Sequence, residues 1–144
     1  MLPFCGYHMS DYFAHWLDME QRLAPTGQAL PGIFCVNWFR KGADGRFVWP
    51  GYGENMRVLK WMIDRLEGRA SGQEHLLGVS PRFEELDWTG SDFDPARFET
   101  VIGTDPAAWQ DELKLHGELF AQLAHHLPPA LARTRAQWAE RLGQ

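Results

Sequence analysis

Apolar residues recur every three or four positions near the start of the chain, which is the pattern of a helix with one apolar face. The stripe predicts a first helix over residues 9–23, with Ser10 or Asp11 as its N-terminal cap. Its members are Met9, Tyr12, Phe13, Trp16, Met19 and Leu23.

The same spacing returns after residue 53 and predicts further helices. One runs over residues 54–66, and Gly68 is a stop signal for it. The Asp-Pro pairs at 94–95 and 105–106 each look like an N-cap followed by proline at the first helical position. The second pair opens a long helix that the prolines at 128–129 end, and a last helix follows.

A continuous run of strand-forming residues stands at 33–39, Ile-Phe-Cys-Val-Asn-Trp-Phe. Because it does not alternate with polar residues, it predicts a strand covered on both faces. An Asp-Gly turn over residues 41–45 leads to a returning arm at 46–49, and residues 50–53 predict no regular structure. The predicted fold class is therefore mixed α/β, a short strand-turn-strand unit packed by about four to five helices.

Composition excludes several classes of protein. The chain has 144 residues, enough for one domain with its own core, and 44% hydrophobic residues, which argues against disorder. A net charge of −5 disfavours a nucleic-acid partner. No apolar run is long enough for a membrane span, and the N-terminus does not read as a signal peptide. We expect Cys5 and Cys35 to be reduced, buried thiols of a cytosolic protein, with a disulfide or a metal pair as the alternative.

The most informative stretch is residues 37–55, where aromatic residues, an Asp-Gly turn and a Gly-rich segment precede a helix start. Aromatic rings can stack on a planar heterocycle, and small residues let the backbone approach its edge. An amide such as Asn55, in a first helical turn with free N–H groups, offers a donor and an acceptor to a base. From the pattern alone, a hydrophobic core strand with a tight turn is the competing interpretation.

Two segments of this stretch carry a resemblance to a known family. Residues 36–41, Val-Asn-Trp-Phe-Arg-Lys, and residues 47–55, Phe-Val-Trp-Pro-Gly-Tyr-Gly-Glu-Asn, resemble the nucleotide-base site of GTP-dependent phosphoenolpyruvate carboxykinase. The resemblance also includes residues 3–7 and 14–17 and continues more weakly through the last helices, so it covers nearly the whole chain.

The resemblance implies that residues 1–144 form part of a C-terminal nucleotide-binding lobe. It implies a guanine pocket within residues 33–55 and a C-terminal helical pair over residues 105–142. Asn55 would read the edge of guanine, and the aromatic rings would surround the base. The residues implied to contact guanine are Phe39, Phe47, Tyr52, Gly53, Glu54 and Asn55.

Four residues depart from the family pattern. Tyr52 stands where phenylalanine is more usual, which keeps an aromatic ring at that position. His8 stands where the family commonly has asparagine. Cys5 takes the place of a second phenylalanine, and Cys35 that of a frequent histidine.

The family that the chain resembles converts oxaloacetate and GTP to phosphoenolpyruvate, CO2 and GDP in gluconeogenesis, with Mn2+ or Mg2+ as cofactor. Decarboxylation to an enolate precedes phosphoryl transfer from GTP. The phosphate loop, the metal ligands and the catalytic residues would lie upstream, and no GxxxxGK[ST] motif occurs here. We therefore expect the C-terminal part of a longer, cytoplasmic and monomeric enzyme, without catalytic or metal-binding residues and without turnover by itself. An interaction module with an exposed aromatic surface, or an inactive remnant, is the alternative.

Other polar residues predict ordinary structural roles. We expect His15 and His116 to be packed or hydrogen-bonded. The pair at 125–126 ends the long helix, where imidazolium favours the helix dipole, and its adjacent side chains point apart, which disfavours a metal site. Glu84-Glu85 and the acidic residues at 92–94 predict solvated loop charges.

Overall fold

A computed structural model describes residues 4–143. They form two compact units, one built from residues 4–31 and 105–143 and the other from residues 32–104. The described residues contain five α-helices and one two-stranded antiparallel sheet. The prediction of a mixed fold with about four to five helices is confirmed, whereas the predicted position of the strands is wrong.

The first unit contains three helices: α1 (Met9–Leu23), α4 (Pro106–Gln122) and α5 (Pro129–Gly143). The predicted bounds of α1 are confirmed. Helix α4 begins as predicted, with the Asp105 carboxylate accepting from the backbone N–H of Ala107 at 2.9 Å. It ends six residues before Pro128 rather than at the prolines, because hydrogen-bonded turns take over after Gln122.

The predicted cap of α1 is wrong. His8, rather than Ser10 or Asp11, occupies the N-cap position, and its Nδ1 accepts from the backbone N–H of Ser10 at 3.3 Å. Ser10 is fully buried, and its Oγ donates to the carbonyl of Leu123 at 3.0 Å. Its hydroxyl therefore joins the start of α1 to the end of α4.

The second unit contains α2 (Asn55–Leu66), β1 (Gln73–His75), β2 (Gly78–Ser80) and α3 (Pro95–Ile102). Helix α2 agrees with the prediction to within one residue, and Gly68 follows it with a φ of 74°. At α3, the Asp94 carboxylate accepts from Arg97 N–H at 2.8 Å, which confirms the predicted Asp-Pro start. The sheet pairs Gln73 with Ser80 in a segment where no strand is predicted.

The buried strand predicted over residues 33–39 is wrong. The segment forms no strand, and Ile33 is 74% exposed. One cause is local: the Asn37 side-chain oxygen accepts from the backbone N–H of Phe39 at 3.1 Å, which turns the chain. Within the described part of the chain, the predicted hairpin is reduced to a single antiparallel bridge between Lys41 and Phe47.

An aromatic core holds the second unit together. It consists of Trp49, Trp61, Leu86, Phe93 and Phe98, each at most 5% exposed. Arg40 connects the irregular segment to this unit, because its guanidinium donates to the carbonyl of Val101 at 3.2 Å and to that of Gly103. The segment before Phe47 is thus fixed to the C-terminal end of α3.

The two cysteines differ from the prediction in part. Cys5 is half-buried, with its Sγ 3.2 Å from the Sδ of Met9. Cys35 is exposed rather than buried, because the segment that carries it is not covered as a strand. Both are free thiols. Of the helices in residues 4–143, none is both long and apolar enough to cross a membrane.

Candidate functional site

A tight turn brings two of the predicted site residues together. Val48 N–H donates to the Arg40 carbonyl at 2.8 Å, and Gly45 has a φ of 76°, which glycine adopts without strain. Phe39 and Phe47 lie on the two arms of this turn. Their ring centroids are 5.7 Å apart in an edge-to-face arrangement.

The three predicted rings are exposed rather than packed into the core. Phe39 is 71%, Phe47 56% and Tyr52 92% exposed. The ammonium group of Lys41 lies 5.8 Å from the Phe47 ring centroid, within the range of a cation–π contact. Tyr52 makes no ring-ring contact with the other described residues. The structure therefore brings Phe39 and Phe47 into contact and leaves Tyr52 separate from them.

Tyr52 opens a single 3-10 turn, Tyr52–Glu54, that leads into α2. Gly51 precedes it with a φ of 129°, a conformation that side chains with a Cβ rarely adopt. Gly53 is exposed, and a Cβ added there would meet no atom within 4 Å. The backbone at 53 is therefore open to an approaching ligand.

The Glu54 side chain is engaged within the protein. Its carboxylate pairs with Arg57, one turn into α2. Arg57 also donates to the carbonyls of Asp87 and, at 3.0 Å, Thr89. Its backbone N–H is engaged as well, since it donates to the Gly51 carbonyl at 3.1 Å.

Asn55 is the first residue of α2 and is half-buried. Its Oδ1 accepts a hydrogen bond of 2.8 Å from the indole Nε1 of Trp49. Trp49 is not among the predicted site residues. The sequence nevertheless contained a signal for Trp49. A buried tryptophan normally has an acceptor for its indole N–H, and Asn55 is a nearby polar residue in the sequence.

Glu85 is a hydrogen-bonding centre rather than the predicted solvated loop charge. It accepts from the backbone N–H groups of Gly72 at 2.9 Å, Arg82 at 2.8 Å and Ser71 at 3.1 Å. Burial raises the pKa of this carboxyl, but the backbone donors together outweigh it and lower the pKa to about 2. Trp61 Nε1 adds a longer contact of 3.4 Å. Glu84 is exposed, as expected.

The histidines divide between confirmed and corrected roles. His116 is half-buried, with its ring centroid 6.3 Å from that of Trp138, as predicted. His15 is exposed and makes no hydrogen bond to the described residues, so its predicted packed role is wrong. The pair at 125–126 lies in the turns after α4, and its ring centroids are 4.2 Å apart, so the expectation that the two side chains point apart is wrong. His126 Nδ1 is 3.4 Å from an Asp11 carboxylate oxygen. Between residues 4 and 143, no three His, Cys, Asp or Glu side chains come together as metal ligands.

Comparisons with known proteins define the class of this chain. The family model of the phosphoenolpyruvate carboxykinase C-terminal P-loop domain matches residues 1–141. Phosphoenolpyruvate carboxykinase [GTP] of Anaeromyxobacter sp. (strain K) is 47% identical over 142 residues, and that of Paenarthrobacter aurescens (strain TC1) is 46% identical over 143 residues. Each of these alignments covers 99% of this chain. The enzyme of the same name from Corynebacterium jeikeium (strain K411) is 42% identical over 128 residues, 89% of this chain.

The chain belongs to the family of GTP-dependent phosphoenolpyruvate carboxykinases. It spans 23% of the length of the Anaeromyxobacter and Paenarthrobacter enzymes and 21% of the Corynebacterium enzyme. The matches do not favour the alternatives of an interaction module or an inactive remnant.

Proposed function

We propose that the chain supplies the guanine-binding surface of a GTP-dependent phosphoenolpyruvate carboxykinase. Phe39, Phe47 and Tyr52 stack on or enclose the base, and the Asn55 amide reads its edge. The backbone of Gly53 and Glu54 completes the contact. Each stacking ring contributes about 1–3 kcal/mol to the binding free energy and stacks on any base. The selectivity for guanine therefore depends on the Asn55 amide.

The observation that carries this proposal is the exposure of aromatic rings beside a polar reading group. Phe39 and Phe47 form an edge-to-face pair that is more than half exposed. A pair in the core would be covered, as Trp49 and Phe93 are in the same unit. Because exposed apolar patches often mark binding sites, these two rings support the proposal that a ligand covers them.

The chain's share of the reaction is to hold guanine, and thereby to fix the position of the phosphates. The whole enzyme converts oxaloacetate and GTP to phosphoenolpyruvate, CO2 and GDP in gluconeogenesis, and is a cytoplasmic monomer without nucleic-acid or membrane partners. Mn2+ or Mg2+ serves the phosphoryl transfer. The described residues do not fit that cation, because they bring no three metal-ligating side chains together. Residues outside residues 4–143 would hold it, and the isolated chain has no turnover.

The test is the substitution Asn55→Ala. Removing the amide should weaken GTP binding at least about fivefold and leave ATP binding nearly unchanged, because the rings bind both bases. Nuclear magnetic resonance titration of the 144-residue protein measures both affinities. Met56→Ala is the matched control, because Met56 is the next residue of α2 and its side chain is exposed. Equal losses of GTP and ATP in Asn55→Ala would contradict guanine reading by Asn55.

A further inference from the structure

The side chain of Asn55 has one hydrogen-bonding partner in the described structure, the buried ring of Trp49. We infer that Trp49 is a positioning residue for guanine selectivity: its indole N–H fixes which group of the Asn55 amide is left for the base. The inference rests on the proposed function of Asn55 as the base-reading residue. It adds a residue that would touch no part of the nucleotide.

Chemistry decides which way the amide faces. An indole N–H can only donate, whereas an asparagine amide has an accepting oxygen and a donating NH2 group. At a distance of 2.8 Å from Nε1 of Trp49, the amide atom must therefore be the oxygen of Asn55. The NH2 group is on the other branch of the planar amide and has no partner among the described residues, so the side of the amide that faces away from Trp49 presents a donor.

Trp49 is itself held rigidly. Trp49 is 5% exposed, and its ring centroid lies 5.4 Å from that of Trp38 and 5.7 Å from that of Phe93. Turning the indole away from Asn55 would open this aromatic core. The orientation of the amide is thus set by the folded core before any ligand arrives.

A fixed NH2 group on Asn55 can discriminate between guanine and adenine. Guanine presents an accepting oxygen, O6, at the position where adenine presents a donating amino group. The fixed amide of Asn55 can donate to guanine, whereas against adenine two donors would face each other. Without the indole N–H of Trp49, the amide can rotate by half a turn and offer its oxygen to adenine. We expect the loss of Trp49 to reduce the preference for GTP over ATP at least about fivefold.

The experiment compares Trp49→Phe with Trp88→Phe. Trp88 is a matched control because it lies in the same aromatic cluster and its indole N–H also donates, at 2.9 Å, but to the Phe83 carbonyl. Titration with GTP and with ATP gives the ratio of the two affinities for each protein. Both variants should be less stable than the wild type. The ratio should fall in Trp49→Phe and stay unchanged in Trp88→Phe.

Two further measurements distinguish the positioning role of Trp49 from a purely structural one. In an Asn55→Ala background, Trp49→Phe should cause no additional change in the ratio, because the amide that it positions is gone. In the wild type, the Trp49 indole N–H should stay protected from solvent exchange when GTP is bound. Faster exchange in the GTP complex, or an additional change in the double variant, would overturn the inference.

The outcomes also separate this inference from the proposed function. A wild-type chain that binds GTP no better than ATP contradicts guanine reading by Asn55 and, with it, the role of Trp49. A wild-type preference for GTP that Trp49→Phe retains in full overturns the role of Trp49 alone. A fall in the ratio for Trp88→Phe as large as that for Trp49→Phe overturns it as well.

Discussion

The ring of Phe39 meets the ring of Phe47 edge to face, with 5.7 Å between centroids and 63° between planes. Because both rings are more than half exposed, we expect Phe47→Ala to change nucleotide binding more than stability. GTP and ATP should each lose about 1–3 kcal/mol of binding free energy, since every base can stack on a ring. Titration of both nucleotides measures the losses.

Trp16→Ala is the control for Phe47→Ala, because Trp16 is a similarly exposed ring, at 47%, on α1. It should leave both affinities unchanged. A loss in Phe47→Ala that is confined to GTP would show that Phe47 reads the base rather than stacks on it.

Asn55→Asp should reverse the preference between the two purines. The carboxylate keeps an oxygen for the Trp49 indole N–H but replaces the NH2 group by a second acceptor. That acceptor suits the amino group of adenine and repels O6 of guanine. An acidic residue in the first turn of α2 is favourable, so the fold should be kept. Calorimetric or NMR titration gives the ratio, and parallel losses of GTP and ATP would contradict the assigned roles of the two amide groups.

The helices were predictable because their signals are local. The stripe of α1 is visible in 15 residues, and the carboxylates of Asp94 and Asp105 cap helices that begin at the next residue. The N-cap of α1 was not predictable in the same way. His8 is an uncommon cap, and Ser10 is instead drawn into a hydrogen bond with Leu123, which is 113 positions away in the sequence.

The composition of residues 33–39 could not show that the predicted strand does not form, because pairing depends on a neighbour that the run itself does not reveal. Glu85 illustrates the same limit, since its donors Ser71 and Gly72 lie 14 and 13 residues away. In the candidate site, the Asp-Gly pair correctly predicted a turn between residues 41 and 45, and this turn has Phe39 and Phe47 on its two arms. Asn55 was a nearby acceptor for Trp49 in the sequence, but the direction of the indole N–H is decided by the folded core.

Ser10→Ala should destabilise the first unit. The hydroxyl is fully buried and donates to the Leu123 carbonyl at 3.0 Å, so its removal leaves that carbonyl with the longer contact from the His126 backbone N–H at 3.3 Å. We expect the free energy of unfolding in urea to fall by about 0.5–1.5 kcal/mol, the usual net contribution of one hydrogen bond. Thr134→Ala is the control: its exposed hydroxyl donates to the Ala130 carbonyl at 3.1 Å on α5, and its loss should cost less than about 0.5 kcal/mol. Equal effects of the two substitutions would exclude a special role for Ser10.

Glu85 should make the stability of the second unit depend on acid pH. Its pKa is about 2 in the folded chain, against 4.5 as the ordinary value, because backbone N–H groups at Ser71, Gly72 and Arg82 outweigh the effect of burial. On acidification the unfolded chain therefore takes up the proton first. The contribution of Glu85 is complete above about pH 5 and disappears as the pH falls toward 2. This contribution to the free energy of unfolding is on the order of 2 kcal/mol. It is smaller than the difference between the two pKa values alone would give, because the side chain is 18% exposed and solvent screens its charge.

Unfolding in urea at several pH values, compared between the wild type, Glu85→Gln and Glu84→Gln, measures this contribution. At pH 7, Glu85→Gln should be less stable by about 1–3 kcal/mol, because its NH2 group would face backbone donors. The difference from the wild type should shrink as the pH falls from about 5 to about 2, because the carboxyl of the unfolded wild-type chain takes up its proton before that of the folded chain does. Glu84→Gln, at an exposed carboxylate, should follow the wild type throughout. A constant difference between the wild type and Glu85→Gln over this range would mean that the backbone donors do not stabilise the charged form of Glu85.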